Sequence, residues 1–211
     1  MKSSETQNLL RLLGSAEMAA LGLEIHQGSP TPESTALLND YQKLYELIFN
    51  ETVDTFSPEH LQKLNDSAID LSCRELDILP SEIAQLSQLR KLYLAHNKFS
   101  TFPFELTLLS KLQKLVLSNN QLRRLPPTIG QCSAMQVLVL SDNQLKILPS
   151  EIGQLTELRE LFLSNNKLRA LPPEISQLSQ LRTLHLGNNH LNRKQRAIIT
   201  SWLPHCFISW R

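Results

Sequence analysis

Several features are scarce in this 211-residue sequence. Its three cysteines, Cys73, Cys132 and Cys206, are odd in number and far apart, which argues against a disulfide framework and for a reducing compartment. No hydrophobic run approaches the ~18 residues that would cross a bilayer, and the first residues lack the apolar core of a secretory signal. We therefore expect a soluble, cytoplasmic protein without a membrane anchor.

Sequence patterns typical of catalytic, cofactor-binding or metal-binding sites are also missing. The six glycines form no phosphate-binding loop, and no histidine or cysteine cluster has zinc-ligand spacing. His96 and His185 would lie ~19 Å apart, four strand spacings, which is too far to share a metal or a proton. The formal net charge is only +1, so nothing global favours nucleic acid or acidic membranes. We predict no catalytic residue, no cofactor and no metal, and neither nucleic acid nor membrane as a partner.

Leucine, in contrast, recurs at a fixed period of 23 residues. The unit reads L-x-x-L-x-L-x-x-N-x-L-x-x-L-P-x-x-I-x-x-L-x-x, and a clean copy begins at Leu158. The asparagine of the unit recurs at Asn97, Asn120, Asn143, Asn166 and Asn189. A coiled coil would need a period of seven, so a stack of repeated units is the better interpretation.

Each part of the unit has a physical reason. Leu161-Phe162-Leu163 alternates like a strand, with both leucines facing the core and Phe162 facing away. The asparagine amide can bond to loop backbone where the strand ends. Pro172 follows where no regular strand could continue, and the segment after it is predicted to return as a short helical or 3₁₀ turn. One unit cannot bury its leucines alone, so neighbours must stack.

These residues resemble the leucine-rich-repeat family, specifically its 23-residue Leu-Pro-x-x-Ile class and its bacterial members. The resemblance implies an α/β fold: a horseshoe-shaped solenoid with a concave parallel sheet, short turns on the convex side and a helical N-terminal cap. We predict a cap over residues 1–65, repeats over 66–191 as five full units and the strand of a sixth, and a C-terminal cap over 192–211. Cys132 replaces a repeat leucine and is expected to be buried, not nucleophilic.

Both ends depart from the repeat. Before it, the pattern predicts two short helices within residues 8–26, a longer helix capped by Thr31 and reaching about Phe49, and a short helix from Pro58 to Leu64. They are interpreted as a cap on the first repeat or as a separate interaction module. After it, residues 193–203 read as a helix, followed by a final strand whose Cys206, Ile208 and Trp210 would face the core. The chain would then be complete, with no catalytic domain following.

The residue between the second and third leucines should project from the concave face. That column contains Tyr93, Val116, Val139, Phe162 and His185, an apolar ridge ~14 Å long from Tyr93 to Phe162. Lys91, Lys114 and Glu160 stand in the column beside it, and small residues stand on the other side. The ridge is interpreted as a partner site, although cross-strand pairing alone would also favour such residues.

The sequence therefore predicts a non-enzymatic, monomeric scaffold that binds a partner protein on the concave face. One alternative is a bacterial effector that is delivered into a host cell without a cleavable signal peptide and binds a host protein there. Another is a structural protein that self-associates through the ridge. The sequence does not name the partner, because repeat scaffolds vary the residues that select it.

Overall fold

The computed structural model describes residues 31–54, 57–64 and 66–211. The helices predicted within residues 8–26 lie outside the described residues. Two compact units divide the chain: the first holds the residues up to Ile69 together with Pro80–Leu89, and the second holds Asp70–Leu79 and Arg90–Arg211.

Among its described residues, the first unit has two helices, α1 (Pro32–Phe49) and α2 (Pro58–Leu64), both as predicted. A capping box starts α1, because the Thr31 hydroxyl accepts from the Ser34 N–H at 3.1 Å and the Ser34 hydroxyl accepts from the Thr31 N–H at 3.0 Å. The two helices pack on each other. Tyr45 is fully buried between them, where its hydroxyl accepts a hydrogen bond from Lys63 and donates one to Glu51.

The repeats form a parallel sheet whose strand order follows the sequence. The strands are Ala68–Asp70 (β1), Lys91–Tyr93 (β2), Lys114–Val116 (β3), Val137–Val139 (β4), Glu160–Phe162 (β5), Thr183–His185 (β6) and Phe207–Ser209 (β7). From β2 to β6 the strands pair without any shift, so Leu92, Leu115, Leu138, Leu161 and Leu184 form one row. Each of these five leucines is fully buried, and the residues on either side of it point to the opposite face.

The chain returns from each of β1 to β5 through a 3₁₀ helix, which confirms the short turns predicted after the repeat proline. These helices are Ser81–Gln85 (η1), Phe104–Leu108 (η2), Pro127–Gln131 (η3), Ser150–Gln154 (η4) and Pro173–Gln177 (η5). The isoleucine or leucine at the centre of each is fully buried. Glutamates occupy the first turn of four of them, where a carboxylate offsets the exposed N–H groups.

A third α-helix, α3 (Arg193–Trp202), follows the repeats and begins at Asn192, whose side chain accepts from the Gln195 N–H at 2.9 Å. It leads into β7, in which Ile208 pairs with Leu184. Cys206, Ile208 and Trp210 were expected to face the core, but all three are only half-buried. The reason is that β7 is the edge strand of the sheet, so no further repeat covers them.

Candidate functional site

Buried asparagines hold the strand ends in place. Asn143 lies just past β4, where its amide N–H groups donate to the carbonyls of Leu117 at 2.8 Å and Leu140 at 3.1 Å. Its Oδ1 accepts from the Leu122 N–H at 2.9 Å. The predicted bonding of this side chain to backbone at the strand end is confirmed. The structure adds that one side chain bonds to backbone groups of its own repeat and of the repeat before it. The same pattern recurs in the neighbouring repeats.

The residue before each of these asparagines has a left-handed backbone, and so does Cys73 at the same position of the first repeat, where Arg74 replaces the asparagine. This row contains Cys73, His96, Asn119, Asp142, Asn165 and Asn188, with φ between 53° and 59°. Asn and Asp tolerate this conformation better than other non-glycine residues, which is why they occupy four of the six positions. The Asn188 amide donates to Asn165, and the Asn165 amide donates to Asp142, both at 2.7 Å. Sequence reasoning missed this row, although the recurrent Asn/Asp before the asparagine was its signal.

The open face of the sheet, meaning the face of β2–β6 opposite the buried leucines, carries all eight residues predicted as a partner site. The ridge is contiguous, since Tyr93 pairs with Val116, Val116 with Val139, Val139 with Phe162 and Phe162 with His185. Every member is half-buried by its neighbours and still partly accessible to solvent. The structure thus brings the predicted ridge together as one strip across five strands.

Two ring contacts order the ends of this ridge. The Phe162 and His185 rings stack with centroids 4.6 Å apart and planes 10° apart. At the other end, the Lys114 ammonium lies 5.3 Å from the centre of the Tyr93 ring, a cation–π distance. Lys114 therefore stands beside the ridge, in the neighbouring column as expected, and its ammonium contacts the ridge at Tyr93. Neither contact could be read from the sequence, because both depend on which rotamer each side chain adopts.

The columns flanking the ridge differ in size and charge. On one side, Lys91 and Glu160 are exposed, with the half-buried Lys114 and Val137 between them. On the other side stand short side chains, namely Ala95, Ser118, Ser141 and Ser164, followed by Gly187. Short side chains leave the ridge open to approach from that direction.

Neither cysteine with a perturbed pKa is poised for nucleophilic chemistry. Burial raises the pKa of the Cys132 thiol to about 11, and burial likewise raises the pKa of Cys206 to about 11. Both are therefore protonated at neutral pH, and Cys132 is buried as predicted. Within the described ranges no group of His, Cys, Asp or Glu could hold a metal ion. That the protein is not an enzyme stays a prediction.

Comparison with known proteins agrees with this architecture. A profile described as "Leucine-rich repeat region" matches residues 68–201. No curated protein shows significant similarity. Among the helices of the described residues, none is long and apolar enough to span a bilayer.

Solved structures show the same fold. A leucine-rich-repeat protein of Leptospira interrogans is 38% identical, with a TM-score of 0.69, over 80% of this chain and 45% of that one. An internalin of Listeria monocytogenes is 25% identical, with a TM-score of 0.53, over 63% of this chain and 37% of that one. The PEPR1–AtPEP1 structure is 26% identical, with a TM-score of 0.50, over 54% of this chain and 17% of that one.

The chain thus spans less than half the length of each of these proteins. Two of the three come from bacteria, which is consistent with the predicted bacterial relationship, whereas the 23-residue class stays a prediction. Leucine-rich repeats generally mediate protein–protein interaction and are typically non-enzymatic. The profile covers most of the sequence and the repeats fold into the same parallel sheet, so this chain belongs to the leucine-rich repeat family.

Proposed function

We propose that this protein is a non-enzymatic scaffold that binds a partner protein on the open face, which is the concave face predicted from the sequence. The observation that carries the proposal is the ridge of Tyr93, Val116, Val139, Phe162 and His185. Water faces this side of the sheet, where polar side chains would be the neutral choice. A contiguous apolar strip on such a surface is typical of an interaction site.

The composition of the ridge fits the anatomy of an interface. Aromatic side chains at Tyr93 and Phe162 can act as anchors, because their large apolar area is buried at little entropic cost. The stacking of Phe162 on His185 and the position of Lys114 over Tyr93 order these side chains before a partner arrives. Preorganisation of this kind lowers the free-energy cost of association.

Charged side chains beside the ridge would favour one orientation of the bound partner. Lys91 and Lys114 lie beside the β2 and β3 end of the ridge, and Glu160 lies beside β5. A partner that presents a carboxylate to the first end and a cation to the second would bind in one direction only. Complementary charges of this type contribute more to specificity and association rate than to affinity.

A photo-crosslinking experiment tests the proposal. A photoreactive amino acid at position 160, beside Phe162, is expected to form a discrete adduct with one protein in the producing cell. The Tyr93→Ala/Phe162→Ala variant should lose most of that adduct. The matched control Phe104→Ala/Leu108→Ala removes two side chains that are 60% and 58% exposed on the 3₁₀ side, and it should keep the adduct.

The outcomes separate the functional alternatives. Equal adduct yields from both double variants would reject the ridge as the binding site, provided that both retain the wild-type unfolding temperature. An adduct between two copies of this chain would instead favour self-association. The same experiment in an extract of a candidate host cell tests the effector alternative, which requires an adduct there and none in the producing cell.

A further inference from the structure

A row of positive charge runs along a different surface, in the segment between the asparagines and the 3₁₀ helices. Arg123, Lys146 and Arg169 occupy the same position in three successive repeats and form what we call the cation ladder. The first two are directly adjacent, because the Lys146 N–H donates to the Arg123 carbonyl at 3.4 Å. All three side chains are exposed.

Within the described residues, no ion pair neutralises the positive charges of the cation ladder. Neighbouring repeats are about 5 Å apart, so these like charges repel one another. By contrast, Lys98, in an earlier repeat, is paired with Glu75 at 3.0 Å. Stability therefore does not account for three adjacent unpaired cations.

An apolar groove adjoins the ladder. A cavity of about 400 Å³ is lined by Lys146, Ile147, Lys167, Arg169, Ala170 and His190. Ile147 is 66% exposed, which is unusual for a large aliphatic residue surrounded by cations. A ligand for this groove would therefore need both negative charge and an apolar group.

The two parts of the sequence carry large net charges of opposite sign, although the total is only +1. Residues 90–211 contain 16 basic and 6 acidic residues, a formal charge of +10. Residues 1–89 contain 5 basic and 14 acidic residues, a formal charge of −9. The low net charge therefore gives no reason to dismiss an acidic partner for the repeats, because the local field decides how charged ligands approach.

We propose that the cation ladder and the Ile147 groove bind an acidic segment of a separate protein, in which an apolar residue stands among carboxylates. Carboxylates would pair with Arg123, Lys146 and Arg169, and the apolar residue would cover Ile147. A nucleic-acid backbone would neutralise the same cations but would offer Ile147 no apolar contact. This site is distinct from the open face, so its test is independent of the function proposed above.

Fluorescence anisotropy with a short labelled peptide that repeats Glu-Glu-Leu tests this proposal on the full chain. We expect binding that weakens as salt is added, because exposed charges are screened. Lys146→Glu/Arg169→Glu should weaken binding by about tenfold or more, since two attractive contacts become repulsive. The matched control Arg159→Glu/Arg182→Glu makes the same charge change at exposed positions outside the ladder, and it should alter binding by less than about twofold.

A second comparison isolates the apolar contact. Ile147→Ser should weaken binding of the Glu-Glu-Leu peptide by about fivefold, through loss of buried apolar area, and leave binding of oligoglutamate unchanged. All these substitutions lie at exposed positions, and circular dichroism verifies that each variant is folded.

Four outcomes would overturn the proposal. The first two are that the peptide does not bind, and that the Arg159→Glu/Arg182→Glu control loses as much binding as Lys146→Glu/Arg169→Glu. The third is that an RNA oligonucleotide or a phosphatidylserine vesicle binds the same residues more tightly than the peptide does. The fourth is a dimer, seen in sedimentation, that Lys146→Glu/Arg169→Glu abolishes. The last result would show that a second copy of this acidic and basic chain occupies the site in place of a separate partner.

Discussion

Single asparagines connect successive repeats through buried hydrogen bonds. Asn120, Asn143 and Asn166 are each less than a tenth exposed, and each bonds to the backbone of two repeats. A carboxamide suits this position because it carries a donor and an acceptor without charge. A leucine would fill the space but would leave a buried backbone N–H unsatisfied and would remove hydrogen bonds to buried carbonyls.

Asn143→Ala should lower the free energy of unfolding by about 2–3 kcal/mol. It leaves the buried Leu122 N–H without a partner, and it removes one of the two amide donors from each of the Leu117 and Leu140 carbonyls. Urea titration measures the loss. Gln121→Ala removes an exposed amide from the same part of the preceding repeat, and it should change stability by less than about 0.5 kcal/mol. Similar losses in the two variants would contradict a structural role for the buried amide.

Burial of the Cys132 thiol makes stability depend on pH. Its pKa is raised from 9.0 to about 11, because a thiolate would lose its hydration in the core. The unfolded chain releases this proton first, so the stabilisation is complete below about pH 9 and is lost as the pH rises towards about 11. A shift of this size corresponds to about 2–3 kcal/mol.

At about pH 8, Cys132→Ala should be less stable than the wild type, because the substitution leaves a small cavity. Between about pH 8 and pH 10.5 the variant should lose less of its free energy of unfolding than the wild type loses, because it has no thiol to ionise. Urea titrations of both proteins at several pH values test this. The other titrating groups are common to the two chains, so parallel pH profiles would show that the thiol does not contribute.

At the scale of elements, the 3₁₀ helices approach one another closely where glycine permits it. Gly153 lies in η4, and a Cβ added there would sit 2.5 Å from the Glu174 carbonyl oxygen of η5. The contact is with backbone, which cannot rotate away as a side chain could. The equivalent residue of the next repeat is Ser176, which is exposed. Glycine is thus required by packing in one repeat and not in the next.

Gly153→Ala should destabilise the protein by about 1–3 kcal/mol through overpacking of η4 on η5. Ser176→Ala, at the same position of the next repeat, should shift stability by less than about 0.5 kcal/mol. Thermal unfolding of the two variants distinguishes them. An unchanged melting temperature for Gly153→Ala would mean that the two 3₁₀ helices separate at little cost.

At the scale of the molecule, the leucine row from Leu92 to Leu184 makes the repeats depend on their neighbours. In such an array each unit contacts only the next, and stability is the sum of unit and interface terms. Both tryptophans, Trp202 and Trp210, follow the last repeat, so their fluorescence reports on one end. They therefore show whether damage in an early repeat propagates.

Leu115→Ala in β3 removes a fully buried side chain and should cost about 3 kcal/mol. If the repeats unfold cooperatively, the urea midpoint seen by tryptophan fluorescence should fall accordingly. Leu108→Ala makes the same chemical change at a side chain that is 58% exposed, and it should leave the midpoint nearly unchanged. If Leu115→Ala left the urea midpoint measured by tryptophan fluorescence unchanged, the result would show that the repeats unfold separately.

The sequence by itself determined the repeat, the strands and the identity of the core. The spacing of leucines, asparagines and prolines predicted β2–β6, the 3₁₀ segments and the burial of Cys132, because each repeat satisfies the same local backbone and burial requirements. It also predicted α1 with its cap at Thr31, since capping is a local interaction. The predicted domain limits at residues 65 and 191 stay predictions.

Tertiary structure alone decided the contacts between repeats. Residues 23 apart in sequence become neighbours only after stacking, and their rotamers then select the Phe162–His185 stack and the Lys114–Tyr93 contact. The same stacking brings Arg123 and Lys146 side by side and leaves β7 half-covered at the edge of the sheet. A pattern along one repeat specifies which side chains point outward, but their mutual distances and charges arise only when the repeats assemble.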